Sequence, residues 1–568
     1  MDQEKRVLAA FALSFLILLL WRIYFVKEPP PPPSAKSSAT AQGRGTAEKR
    51  PPAVVTPPPA VNLPVVVGQK AEDVVVESNL YKVTFSTRGA VAQNWVLKNY
   101  LDAKATPLDV INNEACGKLG FPMSLRLAES ELSNMLNSAL FVATPAGATL
   151  TPPAKLEFTY SDGTVKAHKV LSFGTGYGVH VEISVERGGR FLPVEVEWPG
   201  GFGDHTVAPA DIDRYEQGFY GSVSDLTRVT RRKLSSERMV PPPLALVGVE
   251  DHYFAEAALP DSPDEGFRLG RETWTPADWT GKDSDKPTAI TARLGETQPK
   301  PLSFRLFVGP KNLDVLRAEK PPLDSLVDFG WFSFVAKPLF LGLRYIYEHW
   351  VHNYGWAIVV LTLLINFALF PLRLKGIRSA QQMQRISPLM KSIQDKYKHL
   401  KFNDPRKARM NEEMMKLYKE HNVNPLGGCL PVALQMPFLY GFYQVLQLPI
   451  ELRHAPWIFW IKDLSAPDTF HPYGIPLAIL PTVMIVSFYF STKMNPTPNV
   501  DPAQQRMMMI MPVVFGIMFY KLASGLVLYF LTANLVQIAQ QLLLNKFMPA
   551  PQPLSAPSPS EGKKSGPR

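Results

Sequence analysis

The chain has 568 residues, 46% of them hydrophobic and only 19% charged, with 54 prolines, two cysteines and a formal net charge of +10. Two cysteines exclude a disulfide scaffold and any four-cysteine zinc or iron–sulfur site, and 36 glycines cannot supply the third-position repeat of collagen. A mean hydropathy of −0.04 resembles that of a soluble protein, but it averages over apolar residues that are sharply segregated along the chain.

Residues 7–26, VLAAFALSFLILLLWRIYFV, form an apolar run long enough to cross a bilayer. The run has no small-x-small cleavage site, and it ends in Trp21, Arg22, Tyr24 and Lys27, which suit a membrane interface. Residues 1–28 are therefore expected to be an uncleaved signal anchor. Residues 29–64 are rich in Pro, Ala and Ser and open with five consecutive prolines. This composition favours an extended stalk; a ligand for a proline-binding domain is the alternative.

Residues 65–322 contain no spanning run. Alternating or β-branched stretches recur at 74–85, 156–160, 165–173, 178–185 and 192–198, punctuated by Gly, Pro and Asp/Asn, as in an antiparallel sandwich. About 250 residues suffice to bury a core. Asp211, Asp213, Glu216, Asp251 and His252 are groups that a hydrolase uses, but their spacing matches no catalytic constellation. Cys116 has no neighbouring cysteine for redox chemistry.

After residue 328 the composition changes. Residues 329–350 are aromatic-rich but carry Lys337, Arg344 and Glu348, so 323–352 is expected to hold an amphipathic helix lying in the interface. Five candidate spans follow, at about 355–372, 428–448, 474–491, 507–522 and 525–544, which makes six in all. The loop 373–421 has thirteen Lys/Arg against five Asp/Glu, a net of +8. The positive-inside rule makes that loop cytoplasmic. Lys493, Arg506 and the tail with Lys546, Lys563, Lys564 and Arg568 fall on the same side. Both termini are then cytoplasmic and the β domain lies outside.

None of the five spans contains Asp or Glu, which disfavours a proton- or sodium-coupled transporter. Their polar residues cluster toward the cytoplasmic side. Thr362, Asn366 and Arg373 share a helical face, as do Asn534, Gln537 and Gln541; Gln435 sits near the inner start of its span and Ser487 near the inner end of another. If these faces converge they form a hydrophilic pocket open to the cytoplasm; interhelical hydrogen bonding is the alternative for each residue singly. Met507, Met508, Met509 and Met511 are either an adaptable apolar contact surface or plain lipid contacts.

Within the cytoplasmic loop, Met390, Ile393, Tyr397 and Leu400, then Met410, Met414 and Leu417, recur at helical spacing. Asp404 stands as N-cap and Pro405 at the first helical position. The pattern predicts an antiparallel hairpin over 376–421, with 353–547 as the five-span core and 548–568 as a disordered cytoplasmic tail. Arg385, Lys391, Lys396, Lys398, Arg406, Lys407 and Arg409 suit ribosomal RNA or anionic headgroups, or serve only to fix orientation.

Asn424-Pro425-Leu426-Gly427-Gly428-Cys429, Gln435-Met436-Pro437, Trp460-Ile461-Lys462-Asp463-Leu464-Ser465, Asp501-Pro502, Met511-Pro512 and Ser524-Gly525-Leu526-Val527-Leu528-Tyr529 occur in this order. Together they resemble the YidC family of membrane protein insertases. Thr87-Arg88-Gly89, Tyr253-Phe254 and Val308-Gly309-Pro310 extend a weaker resemblance into the β domain. The resemblance implies a multi-domain protein of the bacterial inner membrane, with an all-β periplasmic supersandwich and an α-helical transmembrane bundle. It implies an insertase and chaperone that accepts hydrophobic segments of nascent membrane proteins in a hydrophilic groove and releases them sideways into the bilayer. It would act alone or with Sec translocon components, and the ribosome or the signal recognition particle pathway are further implied partners. No enzymatic activity, cofactor or metal is expected. The family typically carries an arginine where this chain has Asn366, so polarity rather than fixed charge would keep the groove wet. A channel or uncoupled transporter is the alternative function, and a glycan-binding or glycan-modifying sandwich tethered by the bundle is a third.

Overall fold

The computed structural model describes residues 63–147, 149–283, 286–295, 298–330, 332–397, 404, 406–423, 430–468, 470, 478–494, 510–511, 513–514, 516–547 and 554. The signal anchor, most of the stalk, the Asn424–Cys429 motif and nearly all of the tail lie outside them, as do Pro405, Asp501-Pro502 and Pro512. The chain divides into two compact units: Pro57–Ser333 with Leu448–Arg453, and Phe334–Gln447 with His454 onward.

The first unit is β-rich. In Tyr81–Ser86 the side chains of Tyr81, Val83 and Phe85 are buried while Lys82 is exposed, the period-two alternation of a strand with one face inward. A ten-stranded antiparallel sheet runs from Leu226–Thr230 at one edge, through Leu302–Pro310, to Val142–Thr144 at the other. One five-stranded sheet extends from Pro107–Asp109 to Thr149–Leu150, and another from Arg238–Val240 to Ser124–Arg126. A continuous core joins all three, with Phe85 packed edge-on against Trp95 and Phe173. Short helices occupy the loops, among them Asn113–Leu119, whose first turn is capped by Asn112.

The single stretch expected at 74–85 is two strands, Asp73–Glu77 and Tyr81–Ser86. Ser78 breaks it, because its hydroxyl accepts from the amides of Leu80 and Tyr81 and folds the chain back on itself. Lys169 is fully buried in the core, where its ammonium donates to the carbonyls of Gly89, Ala90 and Met123 at 2.8, 2.9 and 2.7 Å. Cys116 is also buried, which pushes its thiol up to about 12.

The described part of the second unit is helical: α1 (Ser333–Ile346), α2 (Tyr354–Ala368), α3 (Phe370–Lys396), α4 (Arg406–Glu420), α5 (Leu430–Gln447), α6 (Ile479–Met494) and α7 (Ser524–Phe547). Ser333–Val351 and α2 meet at a 115° bend, where His352 takes a left-handed backbone and Asn353 caps α2 through the Trp356 amide. Among the described residues α7 is the helix long and apolar enough to cross a membrane by itself; the bent pair passes only if joined, and α6 is shorter. Helices α3 and α4 form a hairpin around Ile386, Met390 and Leu417, with Asp404 accepting from the Arg406 amide.

Candidate functional site

The segment between α5 and α6 builds the floor of the bundle. Trp460 donates to Asp468, whose other oxygen accepts from the Leu480 amide at the start of α6. Asp463 caps Ser465, and its own carbonyl accepts from the Ser524 hydroxyl. Amides of Ser524 and Gly525 donate to the carbonyls of Ala466 and Leu464, so this segment also pins the start of α7. A Cβ at Gly525 would lie 3.1 Å from the Leu464 carbonyl oxygen; glycine allows that close approach. The 460–465 and 524–529 strings therefore meet, and their polar atoms are spent on holding helix ends.

Above that floor, α5, α6, α7 and residues 518–522 enclose a cavity of about 640 Å³. Its wall is mainly Met and aromatic: Met436, Tyr440, Met484, Phe488, Met518 and Phe530. Phe442 stacks on Tyr529 at 4.2 Å and braces α5 against α7. Of the polar residues expected from sequence, Asn534 and Gln537 line the cavity.

The others are placed as follows. Asn534 donates to the Ser487 hydroxyl at 2.8 Å, joining α7 to α6, and Ser487 donates on to the Met484 carbonyl. Thr362 is fully buried and donates to Ile358, and half-buried Asn366 donates to Thr362, both along α2 itself. Arg373 donates to Gln540 at 3.1 Å, joining α3 to α7. Gln541 bonds to Asn545 one turn on. Met511 is half-buried; Met507, Met508 and Met509 lie outside the described residues, and the side chain of Gln435 is likewise outside them.

On the hairpin, Arg385, Lys391, Lys396, Arg406 and Arg409 are exposed. Lys396 pairs with Glu413 and Arg406 with Asp404, each at 2.8 Å, while Lys398 and the Lys407 side chain lie outside the described residues. In the β unit the five acid and histidine groups do not form one site: Asp213 and Glu216 both hold Arg231. Asp251 accepts the amides of Asp204, Tyr253 and Phe254, and His252 stacks between Tyr215 and Tyr253.

Sequence reasoning missed Gln540 and the aromatic wall. Gln540 was legible only as a second amide beside Gln541, and the aromatic residues carry no periodic signal that separates cavity wall from lipid contact.

A β-rich unit joined to a helical unit that contains an apolar helix of spanning length defines a class: a membrane protein carrying a large folded domain. The family model described as "YidC periplasmic domain" matches residues 73–341, and "60Kd inner membrane protein" matches 346–551. The membrane protein insertase YidC of Geotalea daltonii is 34% identical over 96% of this chain and 100% of its own length. That of Syntrophus aciditrophicus is 31% identical over 96% and 99%. A solved structure of an active YidC insertase with its first transmembrane domain is 20% identical, with a TM-score of 0.35 over 84% of this chain and 93% of that one. The chain belongs to the YidC family of membrane protein insertases.

Proposed function

We propose that this protein inserts hydrophobic segments of nascent proteins into the inner membrane and shields them as they fold. The observation that carries this is full-length identity above 30% to curated insterases of this family. In this reading six spans cross the bilayer, both termini are cytoplasmic and the β domain is periplasmic, a topology that the loop charges support. The client enters from the cytoplasm and leaves sideways into lipid, alone or beside Sec components, with no bond made or broken.

The cavity supports a division of labour. Unbranched Met436, Met484 and Met518 repack against varied apolar surfaces, so one wall accommodates many client sequences. Asn534 and Gln537 offer hydrogen bonds to a client's polar end, which lowers the cost of several kcal/mol for exposing such groups to hydrocarbon. Half-buried Asn366 on α2 and Arg373 on α3 are further polar groups for a client to meet, and the exposed hairpin cations contact anionic headgroups or ribosomal RNA.

Photoreactive residues at Met436, Phe488 and Gln537 are expected to capture stalled nascent membrane proteins, whereas one at Arg409 on the hairpin captures ribosomal components or lipid. No capture at the three cavity positions, together with ion conduction by the reconstituted protein, would overturn the insertase assignment in favour of a channel.

A further inference from the structure

The α3–α4 hairpin carries a contact that neither of its helices supplies. Ile386, Met390 and Leu417 are buried in its seam, with Met383 and Met414 packed around them. Leu554, from the chain beyond α7, packs into the same seam and is half-buried there. Its backbone amide donates to the Arg385 carbonyl at 3.0 Å.

A carbonyl inside a helix is ordinarily taken by the amide four residues on. Pro388 stands inside α3; it brings no N–H, and its ring crowds the preceding turn, which opens the ladder at this level. The Leu554 amide thus meets a turn whose carbonyls the helix itself serves poorly, beside the apolar seam that takes its side chain.

The sequence around Leu554 singles it out. From Pro549 to Arg568 it is the one large apolar residue, and prolines stand at 549, 551, 553, 557 and 559. Prolines limit the conformational entropy that a chain loses on docking, so one leucine and one hydrogen bond suffice for a weak contact. Between separate molecules such a contact supports a dissociation constant of about 1–10 mM. Here it forms within one chain. Leu554 follows Phe547, the last residue of α7, by seven positions. That tether reaches at most about 25 Å, and so short a tether gives an effective concentration of roughly 10 mM. The ratio of the two makes the closed form about one to ten times as populated as the open one. The contact is therefore poised between the two, and it joins the hairpin to the helix whose Asn534 and Gln537 line the client cavity.

We propose that the Leu554 segment is the hairpin's own ligand, a cis-docked plug that steadies α3 against α4 and leaves the seam open for a sizeable fraction of the time. The inference rests on the hairpin contact alone and stands whether or not the cavity receives clients.

The test uses the full chain in lipid nanodiscs. Leu554→Asp removes the apolar side chain and adds a charge while the hairpin sequence stays untouched. Hydrogen exchange at the Ile386, Met390 and Leu417 amides should become about two- to tenfold faster. A synthetic peptide of residues 549–560, followed by saturation transfer to its single leucine, should bind the variant with a dissociation constant of about 1–10 mM. It should bind the parent about two- to tenfold more weakly, because the cis segment competes. The same peptide carrying Leu554→Ala should bind neither protein. Unchanged exchange in the variant, equal peptide binding to parent and variant, or binding of the alanine peptide would each overturn the proposal. Protection in the parent that falls on dilution would also overturn it, because the plug would then come from a second copy.

Discussion

Replacing Lys169 with Met tests how the β unit is held together. The side chain is fully buried, and its three hydrogen bonds run to Gly89 and Ala90, beside the Val91–Leu101 strand, and to Met123, beside Ser124–Arg126. One ammonium on the ten-stranded sheet thus ties down the backbone flanking both smaller sheets. Methionine matches the length but donates nothing, so three buried carbonyls lose their partner at about 1–3 kcal/mol each. Relief of a buried charge offsets part of that loss. In buried ion pairs the offset can win when both partners are replaced, but here the acceptors are backbone and stay. The net loss is about 3–5 kcal/mol. Burial lowers the ammonium's pKa to about 7 from 10.5. Between those values the unfolded chain binds a proton that the folded unit does not, so stability rises with pH across that window. Native-state hydrogen exchange on the full chain, read at the Val165–Phe173 and Val91–Leu101 amides, should show exchange about a hundred- to a few-thousand-fold faster in the variant. Its pH slope between about 7 and 10.5 should also flatten. Unchanged exchange, or an unaltered slope, refutes the account.

Substitutions at three further positions probe other links. Asn366→Leu should strongly reduce insertion of a client with a polar tail while Asn366→Arg is tolerated, measured by protease protection of the client; full insertion by the Leu variant would show that groove polarity at this position is dispensable. Glu197→Gln should cost about 1–3 kcal/mol, because Glu197 lies between Arg126 at 3.0 Å and Arg293 at 2.6 Å, yet Glu237 and Glu272 remain beside Arg293; exchange in Thr288–Gly295 reads it. Gly355→Ala should lower thermal stability in detergent by about 1–3 kcal/mol, since its Cβ would sit 2.1 Å from the Trp457 ring; a variant as stable as the parent would mean the ring moves freely.

The fold was legible where local pattern and burial agree. Val165–Phe173 was readable because Val165, Ala167, Leu171 and Phe173 fall on one face at a period of two, interrupted only by Lys169, and glycine and aspartate flank it. The 74–85 stretch was misread because the β-branched runs on either side outweighed the turn-forming Ser78-Asn79 between them; the Ser78 hydroxyl makes the break by accepting from the Leu80 and Tyr81 amides. Leu246–Glu250 was overlooked for another reason: it is buried on both faces, so it shows no alternation to detect.

The site divides along a different line. Residues that act through the backbone of their own helix, such as Thr362 and Asn366, keep the spacing that marked them, and their pairing along α2 follows from the four-residue step. Residues that act across helices do not. The Asn534–Ser487 and Arg373–Gln540 bonds depend on which turn of α7 faces which neighbour, and helical spacing leaves that rotation open. Both bonds converge on α7, and the 460–468 segment anchors the same helix at its start. The family strings therefore fix where α7 sits, and the placement of α7 decides which polar groups a client would meet. Substitutions in the 460–465 string should impair insertion through α7 even though none of its residues lines the cavity.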